Sequence, residues 1–267
     1  MHAPPTWTLA AITMACTFIA PAHADERIST DRPDFVESSD VVGRGRFQVE
    51  TGLQWERDSS AGVTSRVRTT PTLLRFGVAD TVELRLETDG FAWSTVRDAA
   101  SGTSQTEHGF SDVSLGAKWH VRDGDESKGT PSVAWLLHVD VDSGSAAFRG
   151  QGLRPSLRAV AEWDLPHDMS IGVMPGVVLD RNADGRRFAA GIFAVTIGKE
   201  WTPAWHTYVE VAGRQLASRR NGGSVVTLDA GVAWIVTNDV QLDLSLARGV
   251  TSESPDLQWG VGVSVRF

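Results

Sequence analysis

The chain has 267 residues, 26 of them Gly and one Cys, and a formal net charge of −8. This acidic balance argues against a nucleic-acid partner, and the lack of any apolar run of about 18 residues after residue 24 excludes transmembrane helices. A mean hydropathy of −0.14 still permits a membrane β-barrel, because apolar residues at alternate positions around a polar interior keep the average low.

Residues 9–20 form an apolar stretch, and Pro21-Ala22-His23-Ala24 supplies the small-x-small pattern cut by signal peptidase. Residues 1–24 are therefore expected to be a signal peptide, although the segment before the apolar stretch has His2 and no Lys or Arg. Cys16 lies inside it, and Thr13-Met14-Ala15 is a poor lipoprotein box, so no lipid anchor is expected. Export would leave a cysteine-free protein that needs no disulfide in an oxidising periplasm.

Residues 25–45 are polar, acidic and without period, and are expected to be a tail or plug at the periplasmic side or in the lumen of a barrel spanning 46–267. Two-residue alternation begins at residue 47, with Phe47, Val49, Thr51, Leu53 and Trp55 against Gln48, Glu50, Gly52, Gln54 and Glu56. A second strand is expected over 67–78 and a third from residue 82, where Val82, Leu84 and Leu86 oppose Glu83, Arg85 and Glu87. After a polar excursion the fourth sets Val113, Leu115, Ala117 and Trp119 against Asp112, Ser114, Lys118 and His120.

The fifth carries His138 and Asp140 on its polar parity, and the sixth Arg158, Glu162 and Asp164. The seventh and eighth, residues 169–179 and 188–201, are Gly-rich and poorly phased. The ninth carries His206, Tyr208 and Glu210, the tenth Asp229, the eleventh Gln241 and Asp243, and the twelfth runs from 257 to Phe267. Connections alternate between short turns (near Asp80, His167, Pro203 and Asn238) and longer loops (near Ser60, Ala100, Ser145, Asp184, Asn221 and Ser254). That is the rhythm of periplasmic turns and extracellular loops. The fold class predicted is an all-β, antiparallel transmembrane barrel of about twelve strands in the bacterial outer membrane.

Tryptophan supports this. Trp55 and Trp259 fall near the outer interface, and Trp119, Trp135, Trp163, Trp201, Trp205 and Trp234 near the short turns, giving two aromatic girdles. Trp93 breaks the pattern, since it shares the parity of Glu83 and Arg85; either a bulge intervenes or it points inward.

Charged groups at strand centres cannot face lipid, at a cost of about 2–4 kcal/mol for Arg or Lys. Glu83, Arg85, Glu87, Asp112, Lys118, Asp140, Arg158, Glu162, Asp164, Glu210, Asp229 and Asp243 are therefore expected to face inward, and all of them but Asp164 are the candidate lumen lining. That lining is either an open, selective pore or an interior closed by cross-strand ion pairs, such as Arg85 and Glu87 with Asp112 and Lys118. Arg181, Arg186, Arg187, Arg214, Arg219 and Arg220 are expected on the outer surface, paired with lipopolysaccharide phosphates, attracting anionic solutes, or solvated. No spacing suggests a metal or cofactor, and His120, His138 and His206 lack the constellation of a lipid-modifying enzyme.

Thr30-Asp31-Arg32-Pro33-Asp34-Phe35, followed by Gly45-Arg46-Phe47-Gln48-Val49-Glu50-Thr51-Gly52, resembles the front of an outer-membrane "transporter" family labelled putative MetA-pathway of phenol degradation. Residues 71–77, 112–119, 155–158 and 228–231 add generic strand matches. The resemblance implies a barrel that moves small, hydrophobic or aromatic compounds. It carries over no functional residue.

The reading is thus a non-enzymatic outer-membrane channel for passive passage of a small-molecule solute. A plugged barrel with a structural or surface role and a lipid-modifying enzyme are the alternatives. Asp31, Arg32, Pro33 and Asp34 are the candidate plug, and Phe267 resembles the C-terminal assembly signal of outer-membrane barrels. Expected partners are outer-membrane lipid, lipopolysaccharide and the barrel assembly machinery.

Overall fold

The computed structural model describes residues 27–182 and 184–267. The expected signal peptide, with its expected cleavage site and Cys16, lies outside the described residues. Fifteen strand segments are present: β1 (Phe47–Ser60), β2 (Val63–Thr69), β3 (Thr72–Ala79), β4 (Val82–Thr88), β5 (Phe91–Asp98), β6 (Ser104–Phe110), β7 (Val113–Arg122), β8 (Ser132–Val141), β9 (Arg154–Leu165), β10 (Met169–Arg181), β11 (Arg187–Thr202), β12 (Trp205–Leu216), β13 (Val225–Thr237), β14 (Val240–Gly249) and β15 (Leu257–Arg266). All pairings are antiparallel, β1 pairing with both β2 and β3, β2 with β5 and β4 with β7, and β15 returns to β1 from Gln48↔Arg266 to Arg57↔Leu257. The sheet is a closed barrel.

Three pairs of segments, β2 with β3, β4 with β5 and β6 with β7, each run as one interrupted strand, so the barrel has twelve. The predicted polar excursion after residue 89 is in fact β5 and β6. With β2 and the far part of β1 they extend the wall into a four-stranded fin at the long-loop end. β5 and β6 were illegible because each of their faces mixes apolar with polar or charged residues, and alternation between apolar and polar is the signal that marks a strand.

The interruption also accounts for Trp93. Gly90 has φ of +70°, and a Cβ there would lie 2.2 Å from the Thr70 carbonyl oxygen, so only glycine fits. The irregularity at residues 89–90 shifts the parity, and Trp93 faces outward, 43% exposed, against the edge of Phe91 at 4.6 Å. Elsewhere the outward face is apolar, with Leu84, Leu115, Leu137, Val209, Leu228 and Leu246 exposed. Trp55 stacks on Trp259 at 4.0 Å toward the long-loop end, and Trp205 on Trp234 at 5.5 Å beside the short turns, where Trp119, Trp135 and Trp201 are also exposed. The aromatic rows therefore flank the apolar band at both ends.

The poorly phased strands β10 and β11 are fully paired, from Met169↔Lys199 to Arg181↔Arg187. Their inward positions include the buried Met174, Ala190, Ile192 and Ala194. Both faces are apolar, which is what erased the alternation.

Candidate functional site: a lumen filled by the N-terminal segment

The interior has two unlike walls. Over β8 to β12 the buried Leu136, Val160, Met174, Ala194 and Ala212 form an apolar cluster, while β1, β3, β4 and β7 contribute Gln48, Glu50, Arg75, Glu83, Arg85 and Lys118, all buried. Residues 27–45 fill the space between. The segment enters beside the β13–β14 turn, where the Ile28 N–H donates to the Asn238 carbonyl at 2.7 Å, and leaves at the β3–β4 end, where the Gly45 N–H donates to the Gly77 carbonyl at 2.8 Å. Both ends therefore lie at the short-turn end of the barrel.

Each face of the segment meets the wall that suits it. Val36 packs into the apolar cluster, a burial that stabilises by about 1.5–3 kcal/mol for a residue of this type. Asp31 meets the charged wall. Its carboxylate accepts hydrogen bonds from Lys118 Nζ at 2.7 Å and Arg85 at 2.6 Å, with Arg75 at 3.5 Å. Its own N–H and that of Arg32 donate to Glu50 at 3.0 and 3.1 Å. Arg75 ties Glu50 to Glu83 at 3.0 and 2.9 Å and also donates to the Ser29 and Asp40 carbonyls.

The remaining wall charges are committed in the same way. Arg32 forms a two-pronged pair with Asp243 at 3.0 and 3.2 Å, and Gln241 donates to the Arg32 carbonyl. Glu210 accepts the N–H groups of Phe35 and Val36 at 2.8 and 2.7 Å, Glu162 that of Ser39 at 2.5 Å, and Glu83 that of Val42 at 2.9 Å. Glu37 joins Arg85 at 2.7 Å to Arg158 at 2.8 Å. The Tyr208 hydroxyl donates to the Pro33 carbonyl at 3.3 Å. Carboxylates aimed inward are thus used as acceptors for backbone N–H groups of a segment that has no strand partner of its own.

Of the residues predicted to line the lumen, Glu83, Arg85, Lys118, Arg158, Glu162, Glu210 and Asp243 come together on this segment, while Asp164, expected to face inward, is exposed. Asp229 pairs with Arg214 at 3.3 Å, and Glu87 borders a cavity above the segment. Asp112 and Asp140 sit farther out, with Arg154 at 2.9 and 3.4 Å. The cross-strand pairs expected among Arg85, Glu87, Asp112 and Lys118 do not form, because Asp31 and Glu37 take the bases instead. Arg214, expected on the outer surface, is inside, its guanidinium 4.5 Å from the Phe35 ring centre.

Sequence reasoning passed over Glu37, Glu50, Arg75 and Tyr208 as site residues. Glu50, Arg75 and Tyr208 stand on the polar parity of their strands, which was signal enough; Glu37 had no such marker in an aperiodic segment. The three histidines are otherwise engaged: His120 contacts the Ser39 carbonyl at 2.9 Å and Asp123 at 3.0 Å, His138 accepts from Arg85 at 3.2 Å, and His206 lies 3.5 Å from Glu200.

Two cavities flank the segment. One of about 370 Å³ at the short-turn end is bordered by Arg27, Asp40, Gln48, His120 and Arg266. The other, of about 220 Å³, lies toward the long loops. Phe35 and Tyr208 line it together with Arg158, Arg214, Glu87, Asp89 and Asp229. Arg158 Nε, Arg214 Nε and Asp229 Oδ1 are buried without a hydrogen-bond partner among the described residues.

The fold is shared with outer-membrane barrels. The COG4313 outer membrane channel from Pseudomonas putida F1 superposes with a TM-score of 0.60 at 12% identity, covering 86% of this chain and 98% of that one. The KdgM porin does so at 0.50 and 11%, covering 82% and 99%. The β domain of the Bordetella autotransporter BrkA gives 0.50 and 14%, covering 83% and 99%. No curated protein matches in sequence. The family model described as "Putative MetA-pathway of phenol degradation" matches residues 30–267, nearly all of the described barrel and its lumenal segment, and the chain belongs to that family.

Proposed function

We propose that the chain is an outer-membrane channel for passive passage of small compounds, closed in the described state by residues 27–45. One observation carries this reading: two cavities of about 370 and 220 Å³ on either side of a segment held by hydrogen bonds, ion pairs and the apolar contacts of Phe35 and Val36. A barrel of this size can hold a narrow path once such a segment moves. The outer cavity offers the face of Phe35 between the guanidiniums of Arg158 and Arg214, at 5.7 and 4.5 Å. That setting suits a flat ring bearing a hydroxyl or carboxylate, in keeping with the phenol named in the family's description. Export through the periplasm and insertion by the barrel assembly machinery belong to the same proposal.

The number of bonds on the segment favours the second reading, a permanently plugged barrel with a surface role. Planar-bilayer recording separates the two. The unmodified protein is expected to show rare or small openings, and Asp31→Asn combined with Glu37→Gln to raise conductance about fivefold or more by leaving Lys118, Arg85 and Arg158 short of their partners. Folded barrels that stay silent in both forms would establish the plug as permanent.

A further inference from the structure

The fin separates its charges by face. Residues directly opposite one another in antiparallel strands share a face, and the register Trp55↔Arg68↔Trp93↔His108 and Arg57↔Arg66↔Thr95↔Thr106 fixes the outward one. That face carries Arg57, Arg66, Arg68 and Arg97, all exposed, and no carboxylate. The opposite face carries Glu56, Asp58, Asp98 and Glu107 and no base. None of the four guanidiniums has a hydrogen bond or ion pair among the described residues.

Their height is set by the aromatic row. Trp55 and Trp259 stack on the same outward face, and Trp93, Phe91 and Phe110 continue the row around the wall, which marks the boundary of the hydrocarbon. Arg68 is level with Trp55, Arg57 and Arg66 stand two residues beyond it, and Arg97, opposite Thr64, two beyond those. At about 3.4 Å per residue the guanidiniums span roughly 14 Å along the strands, or about 10 Å of height above that boundary at the usual barrel tilt, the region of the lipid phosphates. Arg57 and Arg66 are directly opposed, a like-charge pair that destabilises a sheet unless an anion lies between them.

We infer that the outward face of the fin, with Arg57, Arg66, Arg68 and Arg97 above the Trp55, Trp93 and Trp259 row, binds the phosphorylated headgroup of a glycolipid in the outer leaflet. Guanidinium forks pair with phosphate oxygens in a bidentate manner, and the aromatic row below packs against the first acyl carbons. The site is distinct from the loop arginines 181, 186, 187, 219 and 220, and it does not rest on conduction, since these side chains face away from the lumen.

The test uses the full chain refolded in detergent and titrated with diphosphorylated lipid A, with its dephosphorylated form and with inorganic phosphate, bound lipid being read by native mass spectrometry. The diphosphorylated lipid should bind at least tenfold more tightly than the dephosphorylated one, and Arg57→Gln, Arg66→Gln, Arg68→Gln and Arg97→Gln together should abolish that preference, whereas Gln at the five loop arginines should leave it. Heat-modifiable gel mobility reports folding of each variant. If the quadruple variant does not fold, the Arg57→Gln, Arg66→Gln pair should show a partial loss in the same titration. Equal binding of both lipids, retention of the preference in the folded fin variants, its loss in the loop variant, or competition by inorganic phosphate at lipid concentrations would overturn the assignment.

Discussion

Asp112 sits where the barrel wall gives way to the long loops, between β6 and β7. Its carboxylate accepts the N–H groups of Gly150 and Gly144 at 2.7 and 2.8 Å and a hydrogen bond from Arg154 at 2.9 Å. Burial alone would raise this carboxyl, but those donors outweigh it and hold it below its ordinary range. A carboxylate with a depressed value in the folded state contributes stability that is present above its unfolded value of about 3.9 and is lost as pH falls through the folded value. Loop 142–153 should therefore loosen below about pH 4, and Asp112→Asn should loosen it at neutral pH by about 1–2 kcal/mol. Hydrogen exchange of residues 144–150 at pH 7 and pH 3 checks this; equal protection at both values would contradict it.

Which residues point inward was readable from parity, but their partners were not. Lys118 and Arg85 meet Asp31 from more than fifty residues away in sequence, and periodicity carries no information about a segment that has none. Arg214 has a different reason. The alternation read from the sequence ends near residue 212, which leaves Arg214 in the loop, whereas β12 continues to Leu216 with Arg214 at the shift between Gly213 and Gln215.

The turn that leads from the lumenal segment into β1 depends on glycine at two levels. Gly43 and Gly45 both have positive φ, and a Cβ on Gly77 of β3 would lie 1.7 Å from the Gly43 carbonyl oxygen. Gly77→Ala should displace residues 42–45 while leaving the rest of the wall paired. Limited proteolysis should then cut within residues 27–45 of a barrel that is still heat-modifiable, and full resistance would show that the turn adapts. At the closing seam, Phe267 exchanges two hydrogen bonds with Phe47, at 2.7 and 3.2 Å, and its ring lies 6.3 Å from that of Phe47. Removing Phe267 deletes the last rung of the seam. Membrane assembly in cells should fall several-fold while refolding in detergent changes little, and normal insertion would remove any signalling role from the residue.

Strands with one face on lipid and one on a charged lumen were legible because each face has a single character. Where both faces became apolar, as in β10 and β11, or both mixed apolar with polar residues, as in β5 and β6, only three-dimensional pairing could place them.

For the molecule as a whole, the lumenal segment bridges two unlike walls across the lumen. It neutralises the charged wall with Asp31 and Glu37 and covers the apolar wall with Val36. Removing it would leave Arg75, Arg85, Lys118 and Arg158 short of acceptors. The open state must therefore bring in water, solute or rearranged wall carboxylates to replace what the segment supplied.

Both ends of the segment lie at the short-turn end, so it is a loop dipped into the barrel and not a thread passed through it. A pull on residue 27 would peel its anchors one after another: first Ile28 from Asn238, then Asp31 from its three bases, then Val36 from its apolar seat, and last Ser39 and Val42 from Glu162 and Glu83. The mechanical resistance would peak early, at Asp31, and the barrel could be unlatched by force applied from one side only.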